Sequence, residues 1–530
     1  ADHPLALFLD DLQWLDAATL DLLEDLLTHS ELRHLMLVGA YRDNEVDASH
    51  PLTRKLQTIR QAGVRIEEIR LAPLARAHIE QLIAEALRCP PPSIVALARL
   101  VQDKTAGNPF FVIQFLQALA EEELLSYDHE ARRWRWEPER IHAKGFTDNV
   151  VDLMVGKLAR LPLETREALQ QLACLGNMAQ IDTLATVLDL PSAKVHSILW
   201  SAVRQELVER VEGACAFAHD RIHEAAYSLI AETSRAEAHL RIGRLLAEQT
   251  PADRREEAIF EIVGQLNRGA GLIEARAERE QLAEYNLLAG QRAKASSAYS
   301  SALAYLGAGA ELLDGDCWER RHDLCFALEL NRAECEFLTG QLALADERLT
   351  ALTPRAATTV EQAAVACLQM DVCLLQDRSD RAVAVCLAYL QAVGIHWSAH
   401  PDDDQVREEY QQIWTQLGER SIEQLIDLPL MEDAASLATL DALGKLFAPA
   451  LQSDANLASL TICKAVSLSL ERGNCDASCM LYANVGRVAG RRFGDFEAGY
   501  RFGRLGCELV DRRGLNRHEA RTYLCFSMFV

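Results

Sequence analysis

Much of the usual functional vocabulary is missing from this chain. Its 530 residues contain no G-x-x-x-x-G-K-[ST] phosphate loop, no Gly-rich kinase loop and no catalytic H-R-D, so kinase chemistry would belong to other parts of a larger protein. Positive charge is short as well: 54 Lys and Arg face 78 Asp and Glu, a net charge of −24. Nucleic-acid binders gain affinity by neutralising phosphates with Lys and Arg, so a surface this acidic is a poor match for DNA. No apolar run approaches the roughly 18 residues that span a bilayer, and no charged segment followed by an apolar stretch opens the chain. A cytoplasmic location is the expectation. The fourteen cysteines form no C-x-x-C pair and lie scattered in apolar helical stretches, as at Cys174, Cys325, Cys367 and Cys373. Buried reduced thiols are expected. Cys475 and Cys479 share a helix face, but no second ligand pair stands nearby, so they read as core thiols and not as a metal site.

What is present is length and helix-forming composition. The chain is long enough for roughly three to four domains. With 49% hydrophobic and only 6% aromatic residues, it reads as mainly α with an N-terminal α/β part. Residues 1–75 alternate apolar runs with helical patterns, the habit of a parallel α/β sheet. Strands are expected at 5–9, 35–41 and 64–71, with an amphipathic helix at 17–27 that Asp16 is placed to cap. Residues 76–145 form a small helical subdomain, with helices at 77–87, 93–106 and 109–123; a short strand or loop at 134–138 leads onward. Between 146 and 250, helical patterns at 147–160, 163–175, 180–189 and 192–206 precede two short strands joined by Glu212-Gly213. Helices followed by a hairpin predict a winged helix. Its candidate recognition helix carries only Lys194 and Arg204 as basic residues, which argues against reading DNA.

From 251 to 400 the pattern is helix after helix with a period of about 35 to 45 residues. The expected pairs are 285–299 with 301–313, 318–338 with 342–352, and 360–375 with 378–393. Residues 401–433, with Pro401-Asp402-Asp403-Asp404, look like an acidic interruption. Further repeats are expected over 434–530, at 456–472, 475–488 and 493–512. An α-solenoid of this kind binds protein partners along its concave face.

The chemistry lies near the start. Five apolar residues at 5–9 run into Asp10 and Asp11, and an apolar strand seldom ends in two acids unless something cationic needs them. On a buried parallel strand, the pair is delivered to the crevice beyond the strand's C-terminal end. There one acid would hold Mg²⁺ and the other would orient an attacking water. The bland alternative is a solvated turn before the next helix. The strand at 35–41 ends at Arg42, where a guanidinium could reach a γ-phosphate; pairing with Asp43 or Glu45 is the plainer reading. Gly107-Asn108-Pro109-Phe110-Phe111 opens a helix, with Pro where its missing N–H costs nothing. His219 and Asp220 resemble a catalytic pair, yet at a helix start they are more often a cap and a packing contact.

Taken in order, four segments resemble the signal-transducing ATPases of the STAND class, relatives of the AAA fold. The likeness is to the modules found in large bacterial serine/threonine and histidine kinase fusions and in ATP-dependent transcriptional regulators. The segments are Leu7-Phe8-Leu9-Asp10-Asp11-Leu12-Gln13-Trp14, then Leu37 to Val46, then Gly107 to Phe111, then Phe217 to Tyr227. The resemblance implies the C-terminal part of a P-loop ATPase core at 1–75, a helical lid at 76–145, a winged helix at 146–250, and tetratricopeptide-like repeats beyond. It implies that Asp10 coordinates Mg²⁺, that Asp11 is the water-activating acid, that Arg42 is a nucleotide sensor, and that Asn108 and Pro109 bring the lid to the nucleotide. ATP or ADP with Mg²⁺ would be the cofactors of the intact protein. Because the phosphate loop is missing, the chain reads as a fragment, itself inactive. The rival expectation is a helical-repeat interaction scaffold with no nucleotide function of its own.

Overall fold

Short apolar runs that cannot bury themselves alone dictate how each part of this chain is put together. The computed structural model describes residues 4–15, 17–29, 34–42, 46–47, 50–143 and 150–529. Contacts divide the chain into two compact units, residues 1–282 and 283–530. Among the described residues it is mainly helical, with its strands confined to the first unit.

In the first unit, β1 (Leu5–Leu9) pairs in parallel with β2 (Leu35–Gly39), Leu5 opposite Leu35 and Leu9 opposite Gly39. Parallel pairing requires a crossover, supplied by α1 (Ala17–Thr28), and α2 (Pro51–Gln61) follows β2. Leu12, Leu20 and Leu52 form the small core beneath them, while Leu5, Phe8 and Met36 stay exposed. The expected third strand at 64–71 does not form. A strand needs a neighbour's backbone groups, and among the described residues none lies alongside; Ile69 and Leu71 are instead 86% and 92% exposed. The predicted cap Asp16 lies outside the described residues.

Helices α3 (Arg76–Leu87), α4 (Val95–Thr105) and α5 (Pro109–Glu121) close around Ile79, Ile83, Leu97, Val101, Phe115 and Leu119. A hairpin of β3 (Leu125–Asp128) and β4 (Arg133–Trp136) follows, then α6 (Pro138–Ala143). Next come α7 (Val150–Ala159), α8 (Leu163–Leu175), β5 (Met178–Gln180), α9 (Ile181–Leu188) and α10 (Ser192–Arg204). The strands β6 (Val208–Val211) and β7 (Ala214–Phe217) complete a three-stranded antiparallel sheet in the order β5-β7-β6. Glu212 and Gly213 both take positive φ, 34° and 85°, as a two-residue hairpin turn demands. The wing is therefore present, with β5 added to the predicted pair. Helix α11 (Asp220–Ser228) leads to a hairpin of α12 (Glu232–Gln249) and α13 (Arg255–Gly269). His239 of α12 is buried there between the Tyr227 hydroxyl, 2.9 Å away, and Gln265, 2.7 Å away.

The second unit takes up the chain within α14 (Arg276–Ala295) and continues through α15 (Tyr299–Glu311) and α16 (Cys317–Arg320). Two helical pairs follow: α17 (His322–Leu338) with α18 (Leu342–Leu352), and α19 (Thr359–Leu375) with α20 (Ser379–Ala392). Cys317 and Cys325 are joined as a disulfide, which corrects the expectation of a reduced Cys325. The chain leaves helical geometry at Arg321, between α16 and α17, and this turn brings the two buried sulfurs together. The acidic stretch from Pro401 is not a gap in the array. Asp402 caps α21 (Asp403–Leu417), accepting from the Gln405 N–H at 2.8 Å while Gln405 accepts from the Asp402 N–H at 3.1 Å. Acids favour a helix N-terminus through its dipole, and α21 buries Tyr410, Ile413 and Leu417 in the same core as the helices that follow.

Those helices are α22 (Ala434–Ser453), α23 (Ala455–Arg472), α24 (Asp476–Phe493), α25 (Phe496–Arg513) and α26 (Glu519–Phe529). By length and composition α22 could cross a membrane, contrary to the expectation of no such run. In this structure it packs Leu440, Leu443, Leu446 and Ala450 into the core. Helices α24 and α25 cross closely, because a Cβ on Gly506 would lie 2.4 Å from the Cys479 carbonyl oxygen.

Two outcomes follow. Gly506→Ala should cost about 1–3 kcal/mol, since the obstacle is backbone that cannot swing aside; thermal unfolding of the variant reads the loss. Burial and, less strongly, Arg268 hold the His239 imidazole below its ordinary range, with the Gln265 hydrogen bond opposing them. Stability tied to the neutral ring is complete above pH 6.5 and is lost as pH falls below it toward the depressed folded value. Urea midpoints measured from pH 8 to 5 should therefore drop in the parent chain and drop less in His239→Gln. Some slope remains because burial also depresses His219 and His518.

Candidate functional site

At the C-terminal end of β1, Asp11 takes φ 53° and ψ 45°, the left-handed region that few residues other than glycine occupy. This conformation turns the chain into a short 3₁₀ turn, Leu12–Trp14. The Leu12 N–H then donates to the Ala40 carbonyl at 2.9 Å, just past the end of β2. The turn thus ties the acidic end of one strand to the segment that carries Arg42.

Four side chains meet in that corner. The buried Gln13 donates through Nε2 to Asp11 Oδ1 at 2.8 Å and accepts from the Arg42 N–H at 3.3 Å. Arg42 Nε lies 3.8 Å from Asp11 Oδ1. Its terminal nitrogen forms an ion pair with Asp220 Oδ2, on the first residue of α11. Asp10 is exposed beside them, its carboxylate accepting from the Asp11 N–H at 3.1 Å. Asp43 and Glu45, the plainer partners for Arg42, lie outside the described residues.

The lid motif reaches the same corner through its aromatic residue. Asn108 caps α5, its Oδ1 accepting from the Phe111 N–H at 3.3 Å, with Pro109 in the first turn. Gly107 precedes them at φ 79°, and a Cβ there would meet the Leu74 carbonyl oxygen at 2.5 Å. Phe110 stacks on the His219 ring, centroids 4.2 Å apart and planes 14° from parallel. His219 in turn caps α11, its Nδ1 accepting from the Arg221 N–H at 3.1 Å. Burial, then the charges of Arg42 and Arg221, keep this ring below the usual imidazole range. Cap and packing contact were the expected roles for the His219-Asp220 pair.

Asp10, Asp11 and Arg42 are therefore gathered at the adjoining ends of β1 and β2, whereas Asn108 and Pro109 join them through Phe110 and His219. Sequence reading missed Gln13, Phe110 and the Asp220 partner of Arg42. The adjacency of Phe110 to the Asn-Pro cap was the available signal for one of them; pairing across 178 residues left none. Among the described residues no three His, Cys, Asp or Glu side chains cluster as a metal cage. Two carboxylates at a strand end still suit Mg²⁺, which keeps waters and takes one or two protein acids beside phosphate oxygens.

No protein-family model matches the chain. A curated relative, Hybrid signal transduction histidine kinase G of Dictyostelium discoideum, is 24% identical over 574 aligned positions that cover 91% of this chain. The chain spans 16% of that protein's length. Among solved structures, the STAND protein with a tetratricopeptide repeat sensor from Pyrococcus horikoshii aligns over 99% of this chain and 68% of its own, at 12% identity and a TM-score of 0.42. Along most of its length, then, this chain is similar to one segment of a signalling histidine kinase.

Proposed function

We propose that the chain is the switch and receiver portion of a signalling ATPase within a larger protein; the Dictyostelium relative's name supports a part in signal transduction, and the ATPase reading rests on the acidic strand end and its resemblance to STAND modules. The observation that carries this reading is Arg42, held between Asp11 of the sheet and Asp220 of the winged helix. A guanidinium in that position can exchange one anionic partner for another. It either holds Asp220, and with it α11, or turns toward the terminal phosphate of ATP bound at the acidic strand end. ATP and ADP then favour different arrangements of sheet and winged helix, because only one presents the competing charge. Bound ATP with Mg²⁺ supplies the phosphoryl group to be hydrolysed. Asp10 would hold the metal, Asp11 would orient the water, and Asn108 and Pro109 would set the lid against the nucleotide. The helical repeats would bind the protein partner.

In the full-length protein, Asp11→Asn should retain ATP while hydrolysis falls on the order of 100-fold, the usual scale for losing a general base. Arg42→Ala should bind both nucleotides yet give the same signalling output with either. Unchanged turnover in Asp11→Asn would remove that residue's assignment. Failure of labelled ATP to bind even the full-length protein would leave a repeat scaffold, the reading favoured by the lack of a phosphate loop in these 530 residues.

A further inference from the structure

We infer that α11 is a lever, reporting the state of the Arg42–Asp220 ion pair to the α12–α13 hairpin through a hydrogen-bond relay that runs from Tyr227 by His239 and Gln265 to the Cys174 carbonyl. Its biological meaning rests on the switch proposed above, although the relay itself needs no nucleotide. The helix has nine residues, so its ends are close enough to move together: Asp220 and Tyr227 are about 10 Å apart along the axis.

Both ends are held. At the first, Asp220 pairs with Arg42 and His219 stacks on Phe110. At the second, the Tyr227 hydroxyl meets His239 Nε2 at 2.9 Å, and His239 Nδ1 meets Gln265 Oε1 at 2.7 Å. Gln265 Nε2 donates to the Cys174 carbonyl at 2.8 Å. That last bond sets the direction of all the others. With the Gln265 amide nitrogen committed to α8, its oxygen must accept, so the His239 proton sits on Nδ1 and Nε2 accepts from Tyr227. His223 Nε2 adds a second tie, to the Ala173 carbonyl at 3.0 Å, and the Arg235 guanidinium covers the Tyr227 ring at 4.7 Å.

His239 and Gln265 are 2% and 6% exposed. The Tyr227 hydroxyl is partly buried, but His239 and Gln265 are shielded from solvent, so breaking the bond between them leaves a buried polar group unsatisfied. When α11 tilts at its Asp220 end, the hairpin must follow or the relay must open.

Hydrogen exchange of the 530-residue chain, without nucleotide, tests this in a double-mutant cycle. Asp220→Asn should speed amide exchange in α12 and α13 by about fivefold in the parent background, and by less than about twofold in Tyr227→Phe, where the relay is already cut. Gln265→Leu provides a second break if Tyr227→Phe does not fold. Equal effects of Asp220→Asn in both backgrounds, or no effect in the parent, would overturn the lever. The two proposals fail separately. Additive exchange beside intact ATP dependence in the full-length protein rejects only the lever, and coupled exchange without ATP binding rejects only the nucleotide switch.

Discussion

One guanidinium ties together three parts of the first unit that share no continuous secondary structure. Arg42 follows β2, Asp11 follows β1, and Asp220 opens α11. Around them, the Leu12–Ala40 backbone bond and the Gln13 bridge hold the two strand ends at fixed spacing. Phe110, stacked on the residue before Asp220, brings the lid to the same place. Opposite charges at partial burial attract one another more strongly than they would in water. In the switch proposed above, a third anion of higher charge would compete for Arg42.

The rest of the chain obeys a different constraint. A helical hairpin buries only one face, so it needs a neighbour on each side, and the array grows by adding pairs. The acidic segment from Pro401 shows how strongly this requirement acts. Its charges look like a break in the pattern, yet Asp402, Asp403 and Asp404 build the cap and first turn of α21, Asp403 also pairs with Arg492 of α24, and apolar residues behind them join the common core. Further along, α24 and α25 approach until backbone meets backbone at Gly506.

Where local chemistry alone was decisive, the sequence was readable. The Glu212-Gly213 turn between two apolar runs indicated the wing, and α8 and α18 have the bounds their periodicity predicted. The apolar run at 5–9 is a strand that ends at Asp10 and Asp11, as expected, while the left-handed backbone of Asp11 was not legible in the residues. Reading failed where the outcome lay with a partner. Residues 64–71 have strand composition but no neighbour among the described residues, β5 has a neighbour but only three residues of its own, and Cys325 found Cys317 across a bend.

The sequence by itself determined the helices, the turns, the acidic strand end and the order of the motifs, because each follows from periodicity, caps and residue types within a few positions. Only the tertiary structure decided which charge Arg42 faces and which way the Tyr227–His239–Gln265 relay runs. Those depend on contacts between residues 12 to 178 positions apart, across turns and separate elements, and no local propensity encodes which side chains meet there.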